Sequence, residues 1–163
     1  MKLSREALVV LALALAGCGL VVSAAGAAAP ASPPQAVRVD LASAFPDFAP
    51  GYRLSLTRAV IPPGGAFPPH RHPGMQVAYI QSGTLQFTVF RGAVKVYRGD
   101  ADGSEKLVRT LTAGHTGSIL QGEWIVETPS VWHQGANKGS KRVVILLATL
   151  LREGKPPSIP VKP

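Results

Sequence analysis

The chain has 163 residues, with 17 Lys plus Arg against 9 Asp plus Glu, a net charge of +8, four His and one Cys. That length fits one domain, and a single cysteine excludes an internal disulfide framework. Only 16% of residues are charged, which excludes a charged disordered chain, while the basic balance raises nucleic acid or an anionic membrane as partners.

Apolar residues concentrate at the start: 23 of the first 36 are apolar, and no aromatic residue precedes Phe45. Lys2 and Arg5 come before an uncharged run from Ala7 to Ala16, the pattern of an export signal over residues 1–29 rather than of a folded element. Two cleavage routes are open. Leu15-Ala16-Gly17-Cys18 resembles a bacterial lipobox, with cleavage before Cys18 and a lipid on its thiol, whereas Ala25, Ala27 and Ala29 offer ordinary A-x-A sites near Ala27 to Ala29. An uncleaved span over residues 7–29 is long enough to cross a bilayer, but Gly17, Gly19, Gly26 and the small-residue tail suit cleavage better. The expected location is periplasmic or membrane-anchored through Cys18, with free secretion less favoured. Residues 30–36 form a Pro/Ala linker that cannot hold a helix or pack a core.

The body, residues 37–154, alternates short apolar or β-branched runs with Gly, Pro and Asp punctuation. Strands are predicted at Val37 to Leu41, Tyr52 to Ile61, Gln76 to Ile80, Thr84 to Phe90, Ala93 to Tyr97, Leu107 to Leu111, Ser118 to Leu120, Trp124 to Glu127 and Val143 to Leu151. The last run has helical length, but its Val-Val-Ile start favours a buried strand. Arg91-Gly92 and the stretch from Gly99 to Gly103 supply turns. Such a series of short strands points to an all-β sandwich or barrel. Residues 155–163 read as an extended tail.

Two of the four histidines form His70-Arg71-His72. On an extended strand residues i and i+2 share a face, so both imidazoles can serve one metal ion. Alone the pair is weak evidence, because Pro68, Pro69 and Pro73 also suit a surface loop. Its frame is more specific. Gly64, His70, His72, Gln76 and Gly83, followed by Gly122, His133 and Asn137, resemble in order and spacing the two motifs of the cupin superfamily. Three positions depart: Gln76 stands where the family has Glu, Thr128 where it has Pro, and Ser130 where it has Gly.

The resemblance implies a single conserved β-barrel of the jelly-roll kind, a small single-domain cupin. It also implies that His70, His72 and His133 converge on one divalent transition metal, Fe, Mn, Ni or Zn. Gln76 would either bind that metal through its neutral amide oxygen or hydrogen-bond a bound water or substrate. Glu127 is a further candidate, as an acid/base group or a substitute carboxylate ligand, although a solvent-facing strand end is its default reading. His115, in Ala-Gly-His-Thr-Gly, reads as a turn residue.

Two function classes follow. One is a metal-dependent oxygenase, isomerase or lyase acting on a small oxygenated molecule; the other is a non-catalytic periplasmic module that binds a small ligand or metal. Nucleic acid is not expected, because only Lys138, Lys141 and Arg142 cluster, too short a phosphate track. The family resemblance also implies a homodimer.

Overall fold

The computed structural model describes residues 34–163, so the expected export signal, Cys18 and most of the linker lie outside the described residues. Among the described residues no helix is long and apolar enough to cross a membrane. The strands are β1 (Val37–Ala44), β2 (Tyr52–Ile61), β3 (His70–Arg71), β4 (Gly74–Ser82), β5 (Thr84–Arg91), β6 (Ala93–Gly99), β7 (Glu105–Thr112), β8 (Thr116–Leu120), β9 (Glu123–Glu127), β10 (Trp132–Ala136), β11 (Val143–Arg152) and β12 (Ile159–Pro160). The all-β expectation holds, and the run at Val143 is a strand. β3, β10 and β12 were not predicted. Two of them are only two residues long, and β10 reads Trp-His-Gln-Gly-Ala, which carries almost no apolar alternation.

The strands form two antiparallel sheets, a seven-stranded one in the order β1-β2-β11-β4-β9-β6-β7 and a five-stranded one in the order β12-β3-β10-β5-β8. Alternation along each strand decides which side chains meet between them. From the larger sheet come Ala59, Ile61, Ala78, Ile80, Ile125, Val143 and Ile145; from the smaller come Leu85, Phe87, Val89 and Ile119, all in one buried core. Burying each of the larger of these side chains stabilises the fold by roughly 1.5–3 kcal/mol. This apolar core fills one end of the barrel. Toward the other end the inward positions turn polar, with Ser55, Thr57, Thr149, Gln76, Glu127, His70, His72 and His133 all buried.

The outer face of the larger sheet is apolar as well. Leu54, Leu56, Met75, Val77 and Tyr79 are between 37% and 50% exposed, and β11 carries Leu146, Ala148 and Leu150 between them in register.

The glycines of the sequence frame have a backbone role. Gly64, Gly83 and Gly122 adopt φ of 75°, 81° and 82°, a left-handed region that costs little only without a Cβ. Gly83 alone joins β4 to β5 and so carries the chain from one sheet to the other. Gly74 is needed for closeness instead: a Cβ there would lie 2.9 Å from the Leu151 Cα, inside the neighbouring backbone. Asn137 ties the loop ends together. Its side-chain amide donates to the carbonyls of Ile61 (2.9 Å) and Lys141 (2.8 Å) and accepts from the Gly139 amide (3.0 Å). Its backbone exchanges hydrogen bonds with Gly64 and Gly65.

Asn137→Ala leaves two carbonyls and one amide without these partners, at a cost of about 3 kcal/mol. Urea denaturation should show a lower midpoint at unchanged slope, and a loss below about 1 kcal/mol would mean that water replaces the amide fully.

Candidate metal centre

The polar end of the barrel is built where the two sheets meet. His70 lies on β3, directly opposite His133 on β10 of the same sheet. Pro73 ends β3's extension, and the chain crosses into the larger sheet, where Gln76 on β4 lies directly opposite Glu127 on β9. His72 sits in that crossing. The expected inward placement of His70 and His72 holds, since both are buried, although β3 ends at Arg71 and Gln76 joins them from the other sheet.

Each imidazole is oriented by its surroundings. His70 Nδ1 lies 2.7 Å from the Pro68 carbonyl and His72 Nδ1 lies 2.6 Å from the Pro157 carbonyl. A carbonyl only accepts, so both Nδ1 atoms carry hydrogen and donate it, which turns each Nε2 toward the barrel interior. His133 is held by stacking on Phe87, with ring centroids 4.8 Å apart and planes 18° from parallel. Its Nδ1 is buried with no hydrogen-bond partner among the described residues. One ligand nitrogen from each of His70, His72 and His133 lies within 4.8 Å of the other two.

Glu127 completes the group. Far from facing solvent, its default reading, it is 3% exposed, and its Oε2 lies 3.0 Å from His72 Nε2 and 3.5 Å from His133 Nε2. Gln76 Nε2 donates to that same oxygen and lies 2.9 Å from His72 Nε2. Thus the amide sits where the resemblance has a carboxylate, and a carboxylate arrives from the facing strand. The signal for this was local: Ile125 and Glu127 are two apart on one predicted strand, so a buried Ile125 implies an inward Glu127.

Thr128 and Ser130, the other two departures, form the turn between β9 and β10. Their hydroxyls are 2.9 Å apart and the Val131 amide donates to the Thr128 carbonyl at 3.1 Å. His115 lies in an exposed turn away from the site. Pro157, which no motif marked, belongs to the C-terminal segment. In that segment Ile159–Pro160 pairs with β3 and the Val161 amide donates to the Pro69 carbonyl. It forms a strap beside the histidines.

The electrostatics favour a positive ion. Burial, with His133 and His72 alongside, pushes His70 down to about 4, and burial lowers His133 too, against the pull of Glu127. His70 is therefore neutral at pH 7, with a lone pair available on Nε2. Burial resists ionisation of Glu127, but His133, His72 and the Gln76 amide outweigh it and hold the carboxyl below its usual range. With Nδ1 of His72 donating to Pro157, Nε2 is the ring nitrogen that faces the carboxylate oxygen, at 3.0 Å. A contact that short needs a cation between nitrogen and oxygen, either a proton on Nε2 or a metal. Three imidazoles and a carboxylate suit a divalent transition metal. The cavity among His70, Gln76, Phe87, Glu127 and His133 measures about 30 Å3, room for an ion or a single water.

The sequence model of the family described as Cupin domain matches residues 57–101. A cupin 2 domain-containing protein from Halorhodospira halophila superposes with a TM-score of 0.50 at 14% identity, over 78% of this chain and 71% of that one. The chain carries a cupin barrel. A cupin superfamily protein from Desulfitobacterium hafniense gives 0.49 at 15% identity, over 76% of this chain and 84% of its own. A DMSP lyase from Ruegeria pomeroyi gives 0.45 at 15% identity, over 66% and 43% of the two chains. At these identities the likeness shows the fold alone. No curated protein matches the sequence. In this barrel the three buried histidines can hold a metal ion.

The strap gives a direct check on the site. A chain ending at Gly154 loses the Pro157 carbonyl, and its affinity for Co2+ in chelator competition should fall roughly 10- to 100-fold while the β-sheet circular dichroism persists. Unchanged affinity would show that the strap does not orient His72.

Proposed function

We propose that this cupin holds one divalent transition metal through His70, His72, His133 and Glu127, and that it acts on a small oxygenated molecule at that centre. The observation that supports this reading most is the contact between His72 Nε2 and Glu127 Oε2 at 3.0 Å, an arrangement of buried acceptors that a metal would complete. A carboxylate from β9 removes the difficulty of a neutral amide at position 76 and leaves the bound ion with one anionic and three neutral protein ligands. When bound, such an ion supplies polarisation of a coordinated oxygen or activation of water or dioxygen. Gln76 directs an N–H at the carboxylate oxygen and so fixes its orientation. Phe87, Leu85, Ile145 and Leu147 give the cavity an apolar wall.

The small cavity supports a second reading, a module that binds its metal without turnover, since about 30 Å3 holds no substrate beyond the size of water. Export, attachment through Cys18 and pairing of barrels belong to the proposal too. The charged start and apolar run of residues 1–29 support the first two, and the apolar outer face of the larger sheet supports the third.

Protein purified without a histidine tag and reconstituted anaerobically should bind one equivalent of metal by elemental analysis. Glu127→Gln should weaken that binding by roughly 10- to 100-fold. No retained metal in the parent protein, or full affinity in the variant, would overturn the ligand set. Oxygen-uptake and small-molecule turnover assays on the loaded protein separate the enzyme from the binding module.

A further inference from the structure

A second space adjoins the metal cavity. It is a trough of about 520 Å3 between β1, β2, β11 and the segment leading to Pro157, and Arg38 lines both it and the smaller cavity. On β1, Arg38 is opposite Ala59 and Asp40 is opposite Thr57. Residues paired in this way point to the same side of a sheet, and since Ala59 and Thr57 are buried inside the barrel, Arg38 and Asp40 face its concave side. The floor holds the buried residues Ser55, Thr57 and Thr149, whose hydroxyls make it polar.

The charges there are unequally matched. Asp40 is already engaged, accepting from Thr57 Oγ1 at 2.8 Å and lying 3.5 Å from Arg53. Arg53 in turn donates to Ser43 Oγ at 2.8 Å. Arg38 has no carboxylate within salt-bridge distance among the described residues. Its contacts are long, 3.3 Å to Ser158 Oγ and 3.5 Å to Gln76 Oε1, and they use two of the five N–H groups that a guanidinium offers. Among the described residues most of its donors have no partner, and a half-buried guanidinium so placed is arranged for a planar anion. It is also one amide group from the metal centre, because Gln76 touches Arg38 through Oε1 and His72 and Glu127 through Nε2.

We infer that Arg38 anchors the carboxylate of a small organic acid lying in the trough, with the acid's other oxygen-bearing end directed past Gln76 toward the histidine cluster. This names the substrate class of the proposed centre and rests on that reading for the second half of the contact. The first half, the pairing of carboxylate with Arg38, stands on the trough alone. It also removes the objection raised by the small cavity, since the molecule's bulk stays in the larger space.

The test uses lactate and its neutral amide, lactamide, as probes of equal shape, titrated calorimetrically into the full chain with and without Co2+. Lactate should bind at least about 10-fold more tightly than lactamide. Arg38→Met should abolish that preference, and Arg38→Lys, which keeps the charge but not the two-pronged donor, should give an intermediate one. Equal binding of both probes by the parent chain, or the full preference in either variant, would overturn the inference. If the chain takes up no Co2+, the metal reading fails, and the same acid-over-amide preference in the metal-free protein still decides the role of Arg38.

Discussion

The contact on which the rest depends is between His72 Nε2, whose ring partner Nδ1 donates to a backbone carbonyl, and a carboxylate oxygen of Glu127, both buried. Removing a carboxylate from water costs several kcal/mol even after the protein relaxes around it. Such a group persists only when the surrounding structure holds it and supplies partners for its lone pairs. Here those partners are the Gln76 amide and the edges of His72 and His133, and each comes from a different part of the chain.

That requirement explains features of the fold that packing alone would not demand. Gln76 and Glu127 meet because β4 and β9 pair in a register that sets them opposite; a one-residue slip would send both side chains to the outer face. β4 can lie close to β11 at its first residue because Gly74 has no Cβ. His72 turns its Nε2 inward because the C-terminal strap returns to place the Pro157 carbonyl behind it. The apolar end of the barrel contributes most of the burial energy and provides a rigid base, and the polar end spends part of that stability on an arrangement with an unsatisfied His133 Nδ1.

Much of this was legible in the sequence, and the division is physical. The spacing of Gly64, Gly83 and Gly122 was readable through the family resemblance, and the structure places all three at positive φ, a local demand that glycine meets cheaply. The shared face of His70 and His72 was readable because strand period is local too. What escaped were facts of register. Nothing near Gln76 indicates that position 127, 51 residues later, will lie across from it, and nothing in Lys155-Pro-Pro-Ser-Ile-Pro-Val-Lys-Pro163 indicates pairing with two residues of β3. Strand β10 escaped because His133, Gly135 and Ala136 are buried for the site rather than for an apolar face, so they leave no hydrophobic period.

The same logic bears on how the barrel divides its work. A cavity of about 30 Å3 has room beside the histidines for an ion or a single water, and nothing larger fits in it. Recognition of a bigger molecule must therefore lie beside the centre rather than on it. Arg38 meets that condition. It sits on β1, an edge strand of the larger sheet among the described residues, where it touches Gln76 and borders the metal cavity itself. This gives position 76 a purpose that a second carboxylate would defeat. A glutamate there would compete for the Arg38 guanidinium and stand against the charge of Glu127, whereas an amide can donate to one neighbour and accept from the other. Gln76 and Glu127 thus act as one unit, an amide that donates to the carboxylate and accepts from Arg38.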